Sequence, residues 1–185
     1  MKYYIRLVRH SVKVAYYSLL IGFNLKMPLR LMLSIVIAAF FHDIGKFKLD
    51  FNVLYKASKL TESEFEYIKT HSELGASLLK KLHFPKGVCE MVLQHHENID
   101  GTGYPYGLEG GDISTGAKII RVADVYSSLT VDRVYRSRFN EKETIEIMLD
   151  EIKYYDFEVF SKFLLVKKKK FINYVYSKKV TDKIY

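Results

Sequence analysis

A single cysteine, Cys89, and three prolines are the scarcest features of this 185-residue chain, and each scarcity excludes something. One thiol cannot form an internal disulfide framework, so the fold has to rest on a hydrophobic core. With 49% hydrophobic residues, a chain of this length buries a sizeable one without staples. A lone thiol also fits a reducing compartment, and Met1 is followed by no basic, apolar and small-residue leader pattern, so the sequence reads as cytoplasmic. Long apolar runs are missing too. The longest, residues 31–41, is interrupted by Ser34 and leads straight into His42-Asp43, well short of the roughly 20 residues that span a bilayer. No transmembrane segment is expected.

The chain has 29 Lys plus Arg against 21 Asp plus Glu, a formal +8, but the excess is unevenly placed. Residues 151–185 carry nine lysines, including Lys167 to Lys170, and four acids, so most of the excess lies at the C-terminal end. A general nucleic-acid binder concentrates basic charge on its folded body, so no specific nucleic-acid partner is expected. The basic run reads as solvated charge, with an anionic membrane surface or an acidic partner as the other reading.

Helical periodicity dominates. Tyr3, Leu7, His10, Val14, Tyr17 and Ile21 recur at three- and four-residue spacing, as do Ile35, Ala38, Ala39 and His42, with Pro28 between the two helices. Thr61 and Glu64 form a capping box opening one helix with a stripe of Phe65, Ile68, Leu74 and Leu78. A further helix follows Gly87 and reaches His96, another runs from after Asp112 to about Val131, and residues 141–153 and 157–166 carry two more. About seven helices and no repeat predict an all-α, single-domain bundle over residues 1–165, then a basic extension over 166–185 that could hold a final helix. Residues 98–111 contain five glycines and Pro105. This is a long loop, and long loops in compact domains usually serve function.

Polar side chains on the core stripes carry the chemistry. His10, His42, His71, His95 with His96, and Asp124 each fall on an inward stripe, and Asp43 follows His42 directly. One inward histidine is satisfied by one carbonyl, but five with two carboxylates need common partners, since burying such groups alone costs several kcal/mol each. A shared multivalent cation meets that need. Imidazole and carboxylate without thiolate suit Fe, Mn, Zn or Co and speak against Ca or Mg. Cys89 lies off this stripe and reads as a small core residue. A carboxylate beside a histidine can bridge two ions, and two ions about 3.5–4 Å apart activate a bridging hydroxide for phosphoryl chemistry.

The block His42-Asp43-Ile44-Gly45-Lys46, then Lys59-Leu60-Thr61 with Glu64 and His71, then the run from His95-His96-Glu97-Asn98 to Asp100-Gly101-Thr102-Gly103-Tyr104-Pro105, resembles the HD-GYP subgroup of the HD-domain phosphohydrolases. The likeness continues through Asp124 to Thr130-Val131-Asp132-Arg133-Val134-Tyr135-Arg136 and covers roughly residues 5–165. It implies a metal-dependent phosphodiesterase that hydrolyses cyclic di-GMP to pGpG, in some members onward to GMP, with two divalent transition metals, iron or manganese. His10, His42, Asp43, His71, His95, His96 and Asp124 match its metal-ligand positions, with Asp43 as bridge. Lys46 matches the lysine that meets the substrate phosphate and lies four residues after His42, on one face with it if the helix continues that far. Arg133 and Arg136 match substrate-holding positions, to which guanidinium forks are suited.

In that family the loop carrying Gly101, Gly103, Tyr104 and Pro105 is also a proposed contact for protein partners, and its glycines can equally serve tight turns. Glu97 and Asp100 are expected to orient ligands through hydrogen bonds. Two departures stand out. Arg6 occupies the place of a glutamate that ligates a third metal, and Ser127 and Val134 replace an acid and a proline, none of them a ligand position of a two-metal site. Two alternatives remain open: an HD-type phosphohydrolase for another nucleotide or cyclic dinucleotide, and a non-catalytic signalling module acting through the loop. Oligomeric state is not legible.

Overall fold

The computed structural model describes residues 2–56, 58–131 and 138–167. Its first helix, α1 (Lys2–Asn24), is followed by a tight turn in which Lys26 takes a φ of 55°, and Pro28 then precedes α2 (Leu29–Phe41). Proline suits that place because the first turn of a helix has no use for its missing N–H. The two helices form an antiparallel hairpin. After α2 come a 3-10 turn, Ile44–Lys48, and the single-turn helix α3 (Phe51–Leu54), then α4 (Glu62–Lys69), α5 (His71–Lys81), α6 (Lys86–Gln94), α7 (Thr115–Leu129), α8 (Glu141–Asp150) and α9 (Phe157–Val166).

The bundle is all-α as expected; among the described residues there is no strand, only an isolated bridge between Asp100 and Glu109. Two differences raise the helix number above seven. Phe51–Leu54 adds one turn, and the expected helix through residues 61–78 is two, divided at Thr70. There the Thr70 N–H and hydroxyl both turn back onto the Tyr67 carbonyl, at 3.3 and 2.7 Å. Thr70 keeps helical backbone angles (φ −61°, ψ −13°), so the sequence periodicity runs through the break unmarked.

The buried face there also differs from the expected stripe. Phe65 and Leu74 are exposed, and α5 buries Ser72, Gly75, Ala76 and Leu79 instead, together with His71. Small residues face inward because the turn carrying Gly45 lies backbone to backbone against α5. An added Cβ at Gly45 would overlap the His71 carbonyl. Gly45→Ala is therefore expected to destabilise the fold by about 3 kcal/mol, the upper range for overpacking, and to separate His71 from Asp43; a thermal melt within a degree of the parent would contradict this.

Helices α1, α2, α6, α7 and α9 enclose the core, where Val14, Ile21, Ile35, Val92, Ile119, Ile120, Phe160 and Phe163 are fully buried. Burying each such side chain contributes about 1.5–3 kcal/mol. This frame fixes the inner ends of α1, α2, α5, α6 and α7, and those helices carry the polar cluster. Among the described residues no helix is long and apolar enough to cross a membrane. The expected basic extension lies outside the described residues from 168 onward, as do Arg133 and Arg136.

Candidate metal centre

Seven side chains carried by five helices, two from helix interiors and five at or just past helix ends, converge on one pocket. His10 projects from the middle of α1, His42 caps α2, Asp43 starts the following turn, His71 opens α5, His95 caps α6 with His96 next, and Asp124 lies inside α7. Ligating atoms of Asp43, His71, His95 and His96 all lie within 4.8 Å of one another, and so do those of His10, His42 and Asp43. Asp43 belongs to both groups. Asp124 joins the second side, its Oδ1 3.0 Å from His10 Nε2 and 3.8 Å from His42 Nε2.

The histidines are oriented by their own helices. Nδ1–H of His42, His71 and His95 donates to the carbonyl three residues earlier, Ala39 at 2.7 Å, Ile68 at 2.8 Å and Val92 at 2.6 Å. That bond fixes the tautomer and leaves each Nε2 lone pair pointing into the pocket. His71 Nε2 and His95 Nε2 then face each other at 3.3 Å with no proton between them. His42 Nε2 and Asp43 Oδ1 are fully buried and lack any hydrogen-bond partner. A divalent cation is what satisfies opposed lone pairs and orphaned buried acceptors together, so the donor set fits divalent metal.

Protons do not fill the gap between His71 and His95. Burial, with the positive charge of Lys46 nearby, pushes His71 down to about 4. Burial likewise holds His95 and His96 well below the ordinary imidazole value. Burial opposes the charged form of Asp43 and Asp124 as well, but Lys46 and His42 hold Asp43, and the His10 hydrogen bond holds Asp124, well below the carboxylate range. Burial lowers His42 too, and the adjacent Asp43 more than reverses it, leaving it raised.

A pH dependence follows. A histidine whose folded pKa is depressed contributes stability above its unfolded value near 6.5 and loses it as pH falls toward the folded one. Three histidines behave so and one the opposite way, while the two carboxylates titrate lower still. The metal-free protein should lose thermal stability steadily from about pH 6.5 to about pH 4. Calorimetry showing a flat or rising Tm over that interval would contradict these directions.

Lys46 reaches the centre differently from the expectation. α2 stops at Phe41, so the lysine arrives by the 3-10 turn, three residues after Asp43, and its Nζ lies 2.7 Å from Asp43 Oδ2. It remains about a quarter exposed, at the mouth of the pocket.

Glu97 and Asp100 do not hydrogen bond to the histidines as expected. The buried Glu97 carboxylate accepts from the backbone N–H of Tyr106 (2.8 Å) and Leu108 (3.0 Å), and Asp100 accepts from the N–H and hydroxyl of Thr102. Both shape the loop. Arg121 Nε adds a 3.1 Å bond to Asn98 Oδ1. The loop folds back until Gly103 lies on the backbone of residues 96–98, where a Cβ would overlap Asn98 N, while Gly101 needs its φ of 77°. This places the Tyr104 ring, after which the Tyr104-Pro105 bond is cis, stacked on His96 with centroids 4.6 Å apart. Burial pushes the Tyr104 hydroxyl upward, so it stays protonated as part of the pocket wall.

Sequence reasoning missed one contact. Ser127 Oγ hydrogen bonds to His10 Nδ1 at 3.0 Å, so the serine that replaces the family's acid holds a candidate ligand. Its signal was its place three residues after Asp124, nearly one helical turn on. Arg6, in the position of the third-metal glutamate, is exposed.

Comparison with known proteins gives a consistent result. A family model described as HD domain matches residues 2–159. A cyclic di-GMP phosphodiesterase of Pseudomonas aeruginosa is 36% identical over 156 residues, covering 84% of this chain and 38% of that protein. A 3'3'-cGAMP-specific phosphodiesterase of Vibrio cholerae is 35% identical over 144 residues, covering 78% and 33% respectively. The chain thus spans about a third of the length of these curated relatives. Among solved structures, an HDG"Y"P protein of Bdellovibrio bacteriovorus superposes with a TM-score of 0.72 at 22% identity, over 88% of this chain and 52% of that one.

Proposed function

The chain belongs to the HD domain family and carries the HD-GYP motifs, and from that premise we propose that it is a metal-dependent phosphodiesterase hydrolysing cyclic di-GMP to pGpG, and onward to GMP if the linear product rebinds. One observation carries the reading: two separate ligand groups share Asp43. His10, His42 and Asp124 with Asp43 would hold one ion, and His71, His95 and His96 with Asp43 the other. Iron or manganese suits this set of imidazoles and carboxylates. Such ions, when bound, supply Lewis acidity toward a phosphoryl oxygen and lower the pKa of water.

The protein's own residues do the rest. Backbone carbonyls hold the imidazoles in the ligating tautomer. Lys46, at the mouth, offers its ammonium to a non-bridging phosphate oxygen, where charge grows in the transition state. Arg133 and Arg136 are the candidates for gripping the second phosphate or its guanine. Stacked Tyr104 closes one wall and keeps His96 in place. Tyr106, 60% exposed on the same loop, offers a contact for a protein partner.

Cyclic GMP-AMP is the competing substrate, because one relative of comparable identity is specific for it. Manganese- or iron-loaded protein incubated with cyclic di-GMP, cyclic GMP-AMP and dNTPs, with products resolved by chromatography, separates the readings. A linear dinucleotide from cyclic di-GMP is expected. Turnover confined to dNTPs, or none at all, would overturn the proposal.

A further inference from the structure

The α1–α2 hairpin is apolar on the side that faces away from the bundle as well as on the side that faces it. On α1, Ile5, Val8, Val12, Tyr16, Leu19 and Phe23 are all exposed, at spacings of three and four residues. On α2 the same holds for Leu29, Leu33, Ile37 and Phe40. At about 100° per residue each set forms one stripe. Gly22 of α1 lies against Met32 of α2, which fixes the seam between the helices. Each stripe sits about 80° round from that seam, and in an antiparallel pair both rotate to the same side. The stripes therefore join into one outer face, about 35 Å long by the rise of α1. A helix as apolar all round as α2 is ordinarily covered on every side.

Charge identifies the cover. Residues 1–42 contain Lys2, Arg6, Arg9, Lys13, Lys26 and Arg30 and not one Asp or Glu. Arg6, Arg9 and Lys13 flank the α1 stripe, and Lys26 and Arg30 stand at the turn. Among the described residues no ion pair uses any of these five. A two-fold copy seated on this face would bring like charge against like charge with no acid to answer it. An anionic lipid surface answers both properties: acyl chains and interface take the apolar stripes, and phosphates take the basic rim. His10 and His42 lie close to half a turn away from the exposed stripes on the same two helices, so the metal pocket would face the aqueous side.

We propose that the outer face of the α1–α2 hairpin docks the protein peripherally on an anionic membrane surface, leaving the pocket open to a soluble substrate. The test is co-sedimentation of the full chain with vesicles, either phosphatidylcholine alone or mixed with phosphatidylglycerol. Binding is expected to be at least about tenfold stronger to the anionic vesicles and to weaken at high salt. Val12→Asn with Ile37→Asn should reduce it at least about tenfold. Arg9→Gln, Lys13→Gln and Arg30→Gln together should reduce it about 100-fold, and these surface changes leave the core and the melting temperature intact. The lysines Lys168 to Lys170 are a rival source of attraction that both variants keep, whereas Lys167 is already paired with Glu141 at 3.4 Å. Undiminished binding by the variants, equal binding to both vesicles, or no binding would overturn the proposal. So would a dimer in sedimentation velocity that the Val12→Asn, Ile37→Asn variant converts to monomer, which would give this face to a second copy. Turnover of soluble cyclic dinucleotide should be the same in parent and variants, so this test stands or falls apart from the catalytic reading.

Discussion

Asp43→Asn is expected to lower kcat/KM for cyclic di-GMP by at least about 10³-fold, more than the loss of a single transition-state hydrogen-bond donor usually costs. That corresponds to about 4 kcal/mol of transition-state stabilisation. The reason is the position of Asp43 in both ligand groups and in the Lys46 ion pair at once. Asparagine keeps the shape and removes the charge that two cations would share. Bound metal should fall with activity, while helical content stays, since the substitution leaves the apolar core around Val14, Ile35 and Val92 untouched. The rise in Tm on metal loading, which measures binding to the folded state alone, should shrink in parallel. A variant that keeps both its metal and most of its turnover would remove Asp43 from the bridging position.

Lys46→Ala should separate substrate from metal chemistry. Its Nζ is bound to Asp43 Oδ2 yet partly open to solvent, so it can pass from the carboxylate to an arriving phosphate. Losing that charge is expected to lower kcat by about 10²–10³, or about 2.7–4 kcal/mol, with metal content unchanged. Lys46→Arg should restore part of the rate, since the charge returns with a bulkier, planar head. Loss of bound metal in the alanine variant would show instead that the ion pair supports the ligand set.

The site was more legible in the sequence than the packing around it. The candidate ligands stand on inward helical stripes or one or two residues past them, where a polar residue is costly, so burial logic finds them from the sequence; the joined motifs then supply roles. What escaped are features with no hydrophobic signature. The close face of α5 is built from Gly75 and Ala76 against Gly45, whereas the search for a stripe rewarded Phe65 and Leu74, which turned out exposed. The break at Thr70 left the period intact. Glu97 next to His96 looked like a ligand's partner, but its carboxylate reaches forward to Tyr106 and Leu108, a choice that depends on how the loop folds back. Ser127 reads in the sequence only as a departure from an acid, and the helical turn that aims it at His10 has no motif of its own. The outer stripes of α1 and α2 are hidden for a related reason: helical periodicity marks one inward face and says nothing of whether the opposite face is polar.

The central claim, that two ions sharing Asp43 make this pocket a cyclic-dinucleotide hydrolase, is tested most directly by one titration. Chelated protein is reloaded stepwise with manganese or ferrous iron, and ions per chain by plasma spectrometry are measured beside the rate of pGpG formation. Activity should be absent in the chelated protein and reach its plateau near two ions per chain. Three is not expected, because a guanidinium offers no lone pair to a metal and Arg6 stands where the third ligand would be. Full turnover by chelated protein, or a plateau at one ion, would contradict the account.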